Sequence, residues 1–239
     1  MVKNIAVIGS SGAIGSAMVE LLAANYSHAS VYACSSQPQT FNQSNVKALQ
    51  MDYEHEDSIA KVSQKVWLGG PLSLVVVATG LLHSETIQPE KSLRDLSFEQ
   101  FDVLFRANAT IPAMLGKHFL PLMDRQSRSV FAAISARVGS ISDNRLGGWY
   151  AYRASKAALN MFIKNASIEM QRRAAHPLVI GLHPGTVDSP LSKPFQKNVA
   201  AKKLFTPEYT ASQLLKQLSL LDRDQLCHFI DYKGDVVTW

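Results

Sequence analysis

Asn4-Ile5-Ala6-Val7-Ile8-Gly9-Ser10-Ser11-Gly12-Ala13-Ile14-Gly15 is the stretch on which the reading of the fold turns. Asn4 to Ile8 is a continuous apolar run stopped by Gly9, the pattern of a strand buried on both faces of a parallel sheet. From Ala13 to Ala24 the apolar positions Ile14, Ala17, Met18, Leu21 and Leu22 recur at helical spacing, with Ser10 and Ser11 as candidate caps. Between strand and helix, Gly9 permits a tight turn, Gly12 the close approach of a ligand, and Gly15 close packing of helix on strand. Backbone N–H groups and a helix N-terminus then converge on one point, which suits a pyrophosphate. A glycine motif alone is weak evidence, and an ordinary tight turn is the bland alternative; its place between a strand and a helix gives it weight.

The alternation continues down the chain. Ser30 to Cys34 reads as a second buried strand, followed by a polar loop from Ser35 to Asn45 and a third short run from Val46 to Met51 that ends at Asp52. Asp57 to Val66 has helical spacing, and Ser73 to Thr79, with Leu74, Val75, Val76 and Val77, reads as a fourth strand. Helical patterns span Phe98 to Leu122, Tyr150 to Arg173 and Pro207 to Leu221; strands are expected at Val130 to Ile134, Leu178 to His183 and His228 to Tyr232. Hairpin turns for antiparallel neighbours are missing, which predicts an α/β, doubly wound, parallel sheet of about seven strands in a three-layer sandwich. No repeat, low-complexity tract or linker interrupts the pattern, so residues 1–239 read as a single domain. Two irregular stretches, Gly139 to Trp149 and Thr186 to Leu204, are long enough to be functional loops, and both follow strands, where ligands bind in such sheets.

Composition narrows the class. Hydrophobic residues make up 46% of the chain and charged residues 18%, far from the signature of disorder. The net charge of +5 comes from 24 basic and 19 acidic residues mixed along the whole length, without the clustered basic stripe that nucleic acid demands. Cys34 and Cys227 show no CxxC and no neighbouring histidine cluster, which predicts free thiols in a reducing compartment and no metal site. The apolar run Ile5 to Ile8 is too brief for a signal-peptide core, and the stretch near Leu72 to Leu82 falls well short of the roughly 20 residues a membrane helix needs. A soluble, cytoplasmic protein with neither nucleic-acid nor membrane partner is expected.

After the second strand the chain reads Tyr32-Ala33-Cys34-Ser35-Ser36-Gln37. A dinucleotide site for NAD usually places an acid here against the adenosine ribose hydroxyls. No carboxylate is present to repel a 2′-phosphate, and two hydroxyls are available to donate to one, so NADP(H) is favoured over NAD(H). The usual arginine of an NADP site is also missing, and the bland alternative is that Ser35 and Ser36 start a turn.

The stretch Trp149-Tyr150-Ala151-Tyr152-Arg153-Ala154-Ser155-Lys156-Ala157-Ala158-Leu159-Asn160 contains YxxxK and resembles the short-chain dehydrogenase/reductase family, in its carbonyl-reductase branch of C-factor-like and sniffer-like proteins. The resemblance runs end to end. It rests on the glycine turn, Asp52, Ala78-Thr79-Gly80, Asn108, YxxxK, and Pro184-Gly185-Thr186-Val187-Asp188-Ser189 in that order. It implies a Rossmann-type fold, an NAD(P)-dependent oxidoreductase that reduces a carbonyl of a small molecule, and a homodimer or homotetramer paired through the helices carrying Asn108 and Tyr152. It also implies cofactor contacts from Gly9, Ser11, Gly12, Ile14, Gly15, Ser35, Asp52, Tyr53, Ala78, Gly80, Tyr152, Lys156, Pro184, Gly185 and Val187.

The residues themselves support the chemistry. Tyr152 and Lys156, four apart on a helix, project from one face, and a nearby ammonium is expected to lower the phenol pKa from about 10 towards the working range. Tyr152 is then the proton donor, while the resemblance has Lys156 hydrogen-bond the nicotinamide ribose and Asn108 hold a relay water through a helix irregularity. The family's adjacent serine pair reads Ile134-Ser135-Ala136-Arg137-Val138-Gly139 here. The second serine is Ala136, which leaves Ser135 as the choice for polarising the carbonyl and Ser140 as the fallback; adjacent strand residues face opposite ways unless a bulge intervenes. A second departure is Ala78, where the family often has an asparagine. His183, at a strand end before Pro184, reads as structural. Leu81, Trp149, Leu191 and Phe195 are apolar candidates for a substrate wall, and Pro190 to Leu204 for a segment closing over it. The missing serine keeps an NADP-binding signalling or sensor protein as the alternative; epimerisation or dehydration on the same fold loses weight for want of a larger C-terminal substrate domain.

Overall fold

The computed structural model describes residues 3–172, 177–222 and 228–239. Strand β1 (Asn4–Ile8) is buried at every position, as a central parallel strand requires. Successive side chains alternate between two packed layers. Ile5 and Val7 pack with Met18 and Leu22 of α1 (Ala13–Asn25), and Ala6 and Ile8 belong to the opposite layer. Strands β2 (Ser30–Ser35), β3 (Val46–Gln50), β4 (Leu74–Val77), β5 (Val130–Ile134), β6 (Leu178–His183) and β7 (Phe229–Asp231) complete one seven-stranded sheet in the order β3-β2-β1-β4-β5-β6-β7, every neighbour parallel.

Helix α2 (Glu56–Trp67) covers one face with Ile59, Val62 and Val66, joined by α4 (Ile111–Phe119) and α5 (Tyr150–Gln171), while α1 and α6 (Pro207–Leu220) cover the other. Burying the wholly enclosed Phe119 and Phe131 makes truncation of either to alanine cost about 3–5 kcal/mol. The expected three-layer sandwich is present, and its strands lie where the sequence puts them to within two residues. Cys227 and the expected helix end at Arg173 lie outside the described residues; Cys34 is a buried free thiol that burial pushes up to about 12.

Two expectations are corrected. Phe98 to Leu122 is not one α-helix: α3 (Phe98–Phe105) passes into a π-turn over Arg106–Thr110, then α4, then a 3-10 turn over Leu120–Leu122. Pro112 supplies a reason, because it has no N–H to donate to the carbonyl of Asn108 in the α pattern. The ladder slips by one residue, and Ile111 N–H donates to Arg106 O. Nor is Thr186 to Leu204 wholly irregular: Thr186–Val187 pairs with Leu204–Phe205, and 3-10 turns lie between. Among the described residues no helix is long and apolar enough to cross a membrane.

Strand order reverses between β1 and β4, so the chain leaves these two neighbours in opposite directions and opens a crevice at their C-terminal ends.

Candidate active site

The crevice is built around the glycine turn. Gly9 has φ +87°, and a Cβ there would lie 2.8 Å from the Ala78 carbonyl carbon, so only glycine lets the turn pass the end of β4. A Cβ on Gly15 would strike the carbonyl oxygen of Gly9. Gly12 caps α1 with no side-chain hydrogen bond, no acid occupies the first turn, and Ser11 and Gly12 are exposed. The expected capping serines are corrected here: Ser10 donates instead to Gln39 Oε1 (2.5 Å), and Gln39 Nε2 donates back to Ser10 O (3.1 Å). An open helix N-terminus, a cradle that a Cβ would fill, and a buried Thr79 Oγ1 without a partner among the described residues together fit the diphosphate of a dinucleotide.

Around this turn the other candidates take ordinary structural roles as well. Tyr53 Oη accepts from Gly9 N (3.1 Å) and donates to Cys34 O (3.1 Å), and burial pushes its phenol above the usual range. Ser35 Oγ accepts from Gln37 N (3.0 Å), the turn-starting role, while Ser36 is exposed. Asp52 is exposed; His55 Nδ1 at 2.8 Å and Glu54 N at 2.9 Å hold its carboxyl below the usual range. Ala78 N donates to Ile8 O (2.7 Å), binding the ends of β1 and β4 together.

Helix α5 carries the candidate catalytic pair. Lys156 Nζ lies 6.0 Å from the Tyr152 ring centroid and donates to Ile134 O (3.0 Å). Both residues are buried, at 6% and 3% exposure. The expected lowering of the Tyr152 pKa is corrected: burial raises it, because a phenolate stripped of water is costly, and Lys156 is itself driven down to about 8 for the same reason. Gly80 fits between these groups, since a Cβ on it would lie 3.4 Å from Lys156 Nζ and 3.3 Å from Asn108 Oδ1. Asn108, wholly buried in the π-turn, receives Leu81 N (2.8 Å) on Oδ1 and gives Nδ2 to Leu81 O (2.8 Å) and Ser155 Oγ (3.1 Å). It therefore fastens the loop after β4 to α5.

Both serines have hydrogen-bond partners of their own. Ser135 Oγ donates to Asn160 Oδ1 (2.7 Å), two helical turns and about 12 Å along α5 from Tyr152. Ser140, also buried, accepts from Asp143 N (3.1 Å). The apolar residues packed with Tyr152 include Ala136, Val138, Leu81, Trp149 and Phe195. The Trp149 ring stands edge-on to Tyr152 at 6.2 Å and lies 4.9 Å from Phe195, which meets His83 at 5.6 Å. His83 Nε2 approaches Pro190 O at 3.2 Å, tying the loop after β4 to the segment after β6. Leu191 is half-exposed and outside this cluster.

Beyond β6, Gly185 has φ +75° and a Cβ there would meet the Phe205 ring at 2.7 Å; Val187 is buried, its carbonyl accepting from Ser192 Oγ (2.5 Å). Pro184 leads into this turn. His183 Nδ1 accepts from Arg137 N (3.3 Å), and burial and the Arg137 charge depress it to about 4, so it is neutral and structural. One buried group has no signal in the sequence at all: Glu90, 2% exposed, receives Ala151 N on Oε1 (3.1 Å) and Trp149 N on its backbone oxygen (2.6 Å).

Comparison with known proteins bears on the family and the fold. The family profile described as short chain dehydrogenase matches residues 3–200. The chain is 29% identical to the C-signal protein of Myxococcus xanthus over 148 residues, 62% of this chain and 84% of that one. It is 25% identical to an uncharacterized oxidoreductase of Schizosaccharomyces pombe over 203 residues, covering 81% and 78% of the two chains. In fold it is similar to the carbonyl reductase Sniffer of D. melanogaster (TM-score 0.85, 21% identity, all of both chains). It is equally similar to the NADPH-bound carbonyl reductase from chicken fatty liver (TM-score 0.84, 24% identity, 100% of this chain and 94% of that one).

Proposed function

The chain belongs to the short chain dehydrogenase family, and on that premise we propose that it reduces a moderately hydrophobic aldehyde or ketone to the alcohol, with NADPH preferred over NADH. The observation that carries this is the buried Tyr152–Lys156 pair, set beside Gly80 and Asn108 at the crevice that the glycine turn shapes. Gly9, Ser11, Gly12, Ile14 and Gly15 would hold the diphosphate, Ser35, Asp52 and Tyr53 the adenosine end, and Ala78, Gly80, Pro184, Gly185 and Val187 the nicotinamide end. When bound, the cofactor supplies a hydride.

Tyr152 donates its proton to the carbonyl oxygen as charge develops there; burial keeps that proton in place at neutral pH until the reaction calls for it. Lys156, charged below about pH 8, stabilises the phenolate left behind and would hold the ribose of the bound cofactor. Asn108 positions the proton path from the π-turn. The pocket wall of Leu81, Ala136, Val138, Trp149 and Phe195 selects an apolar carbonyl substituent and excludes water. A homodimer or homotetramer paired through the helical segments carrying Asn108 and Tyr152 is part of the proposal; α5 carries the exposed Met161 and Ile168.

A second reading, an NADP-binding signalling protein with weak catalysis, draws on Ala136 and on the commitment of Ser135 to Asn160, and the relative named C-signal points the same way. Fluorescence titration with NADPH and NADH, followed by NADPH oxidation with a panel of aldehydes and ketones, separates the two. Tighter NADPH binding with turnover supports the reductase; NADPH binding with no turnover across a broad panel moves the signalling reading ahead.

A further inference from the structure

The first turn of α5 begins in a strained way. Trp149 is the one non-glycine residue described with positive φ, at φ 51° and ψ 43°, and it follows Gly147 (φ 63°) and Gly148 (φ 65°). A left-handed tryptophan costs about 1–2 kcal/mol and persists only where its surroundings force it. The Trp149 ring packs on Tyr152 and Phe195, and one residue, Glu90, bonds the backbone on both sides of the bend. Glu90 receives Trp149 N on its backbone oxygen and Ala151 N on Oε1, so it clasps the helix start at two points spaced two residues apart. Its Oε2 is buried with no hydrogen-bond partner among the described residues. A carboxylate held in such a site, at 2% exposure, is costly unless the helix N-terminus and the position it fixes compensate.

What lies beyond the clasp is the site. Tyr152 follows Ala151 directly, and the Trp149 ring stands against Tyr152 on one side and Phe195 on the other. We infer that Glu90 is a positioning residue: its carboxylate, through Ala151 N, and its backbone carbonyl, through Trp149 N, set the angle at which Tyr152 and the aromatic wall of the pocket meet the substrate. This rests on the reductase reading. The acting feature is reach and hydrogen bonding, not charge, because the amide oxygen of a glutamine accepts from Ala151 N as a carboxylate does, whereas aspartate is one methylene too short.

The test compares Glu90→Gln with Glu90→Asp. Glu90→Gln is expected to keep kcat within about twofold of the wild type, and Glu90→Asp to lose about tenfold or more, since roughly 1 Å of misplacement costs up to about a hundredfold. The dissociation constant for NADPH should stay unchanged in both. A purely structural residue moves the melting temperature but leaves kcat of the folded protein alone, and a charge effect damages Glu90→Gln more than Glu90→Asp; either result overturns the inference. Amide hydrogen exchange over residues 147–156 decides it without turnover: Ala151 should lose protection in Glu90→Asp and keep it in Glu90→Gln, and equal exchange in the two sinks the clasp. A wild type that binds NADPH but turns over nothing defeats the reductase reading instead, and leaves the exchange experiment to judge Glu90.

Discussion

Replacing Lys156 by methionine should remove catalysis and strengthen the fold together. Lys156 is buried and its pKa falls from the ordinary 10.5 to about 8 through loss of hydration. The unfolded chain therefore binds this proton more tightly than the folded one, and at about 1.4 kcal/mol per unit the charge opposes folding by roughly 3 kcal/mol. The penalty is present in full below about pH 8 and disappears as pH climbs to 10.5, where the lysine is neutral in both states. Methionine fills similar volume without the charge, but leaves Ile134 O without its donor, an offset of about 1–2 kcal/mol. Net stabilisation at pH 7 is then about 1–2 kcal/mol, a rise of roughly 2–8 °C in Tm for a chain this long. Thermal unfolding of both proteins from pH 7 to 10.5 cancels every other titrating group in the difference. The advantage of the variant should shrink and reverse with rising pH; an advantage that is absent at pH 7, or that grows with pH, refutes the reasoning.

Other outcomes follow from the same site. In the reductive direction kcat should fall as pH rises through about 8, when Lys156 loses its proton, and Lys156→Arg should abolish that limb in a pH–rate profile even if overall turnover is low. Ala136→Ser places a hydroxyl in the apolar wall beside Tyr152 and should raise kcat roughly tenfold or more, one aimed donor being worth about 10²–10³; steady-state kinetics with unchanged NADPH affinity is the check. Asn108→Ala strips Leu81 of both backbone partners and should cost about 2–4 kcal/mol in denaturant unfolding, with turnover lost as the loop after β4 loosens.

Much of this architecture is legible in the chain because parallel strands buried on both faces write themselves as apolar runs, and Asn4–Ile8 or Leu74–Val77 can be little else. The crevice is legible because Gly9 and Gly15 stand where no other residue fits. The break in the long helix is written more faintly, in Pro112 four residues after Asn108, and is visible only once the missing donor is traced to its acceptor. Ser135 reads as the catalytic hydroxyl by proximity in sequence, yet its partner Asn160 is set by how β5 lies on α5, which no local pattern encodes. The Tyr152 pKa goes the other way from its sequence expectation because burial, a tertiary property, outweighs a lysine four residues away. Thr186–Val187 and Leu204–Phe205 are too short to carry a strand period, and Glu90 sits in a polar stretch with nothing to mark it.

The proposed reaction turns on Tyr152 handing a proton to a carbonyl. Single-turnover oxidation of bound NADPH by an accepted aldehyde or ketone, wild type against Tyr152→Phe, tests it most directly. NADPH should bind both proteins alike, and the phenylalanine variant should oxidise it at least about a hundredfold more slowly, the usual weight of a positioned general acid. A Tyr152→Phe variant that oxidises NADPH at the wild-type rate would contradict it.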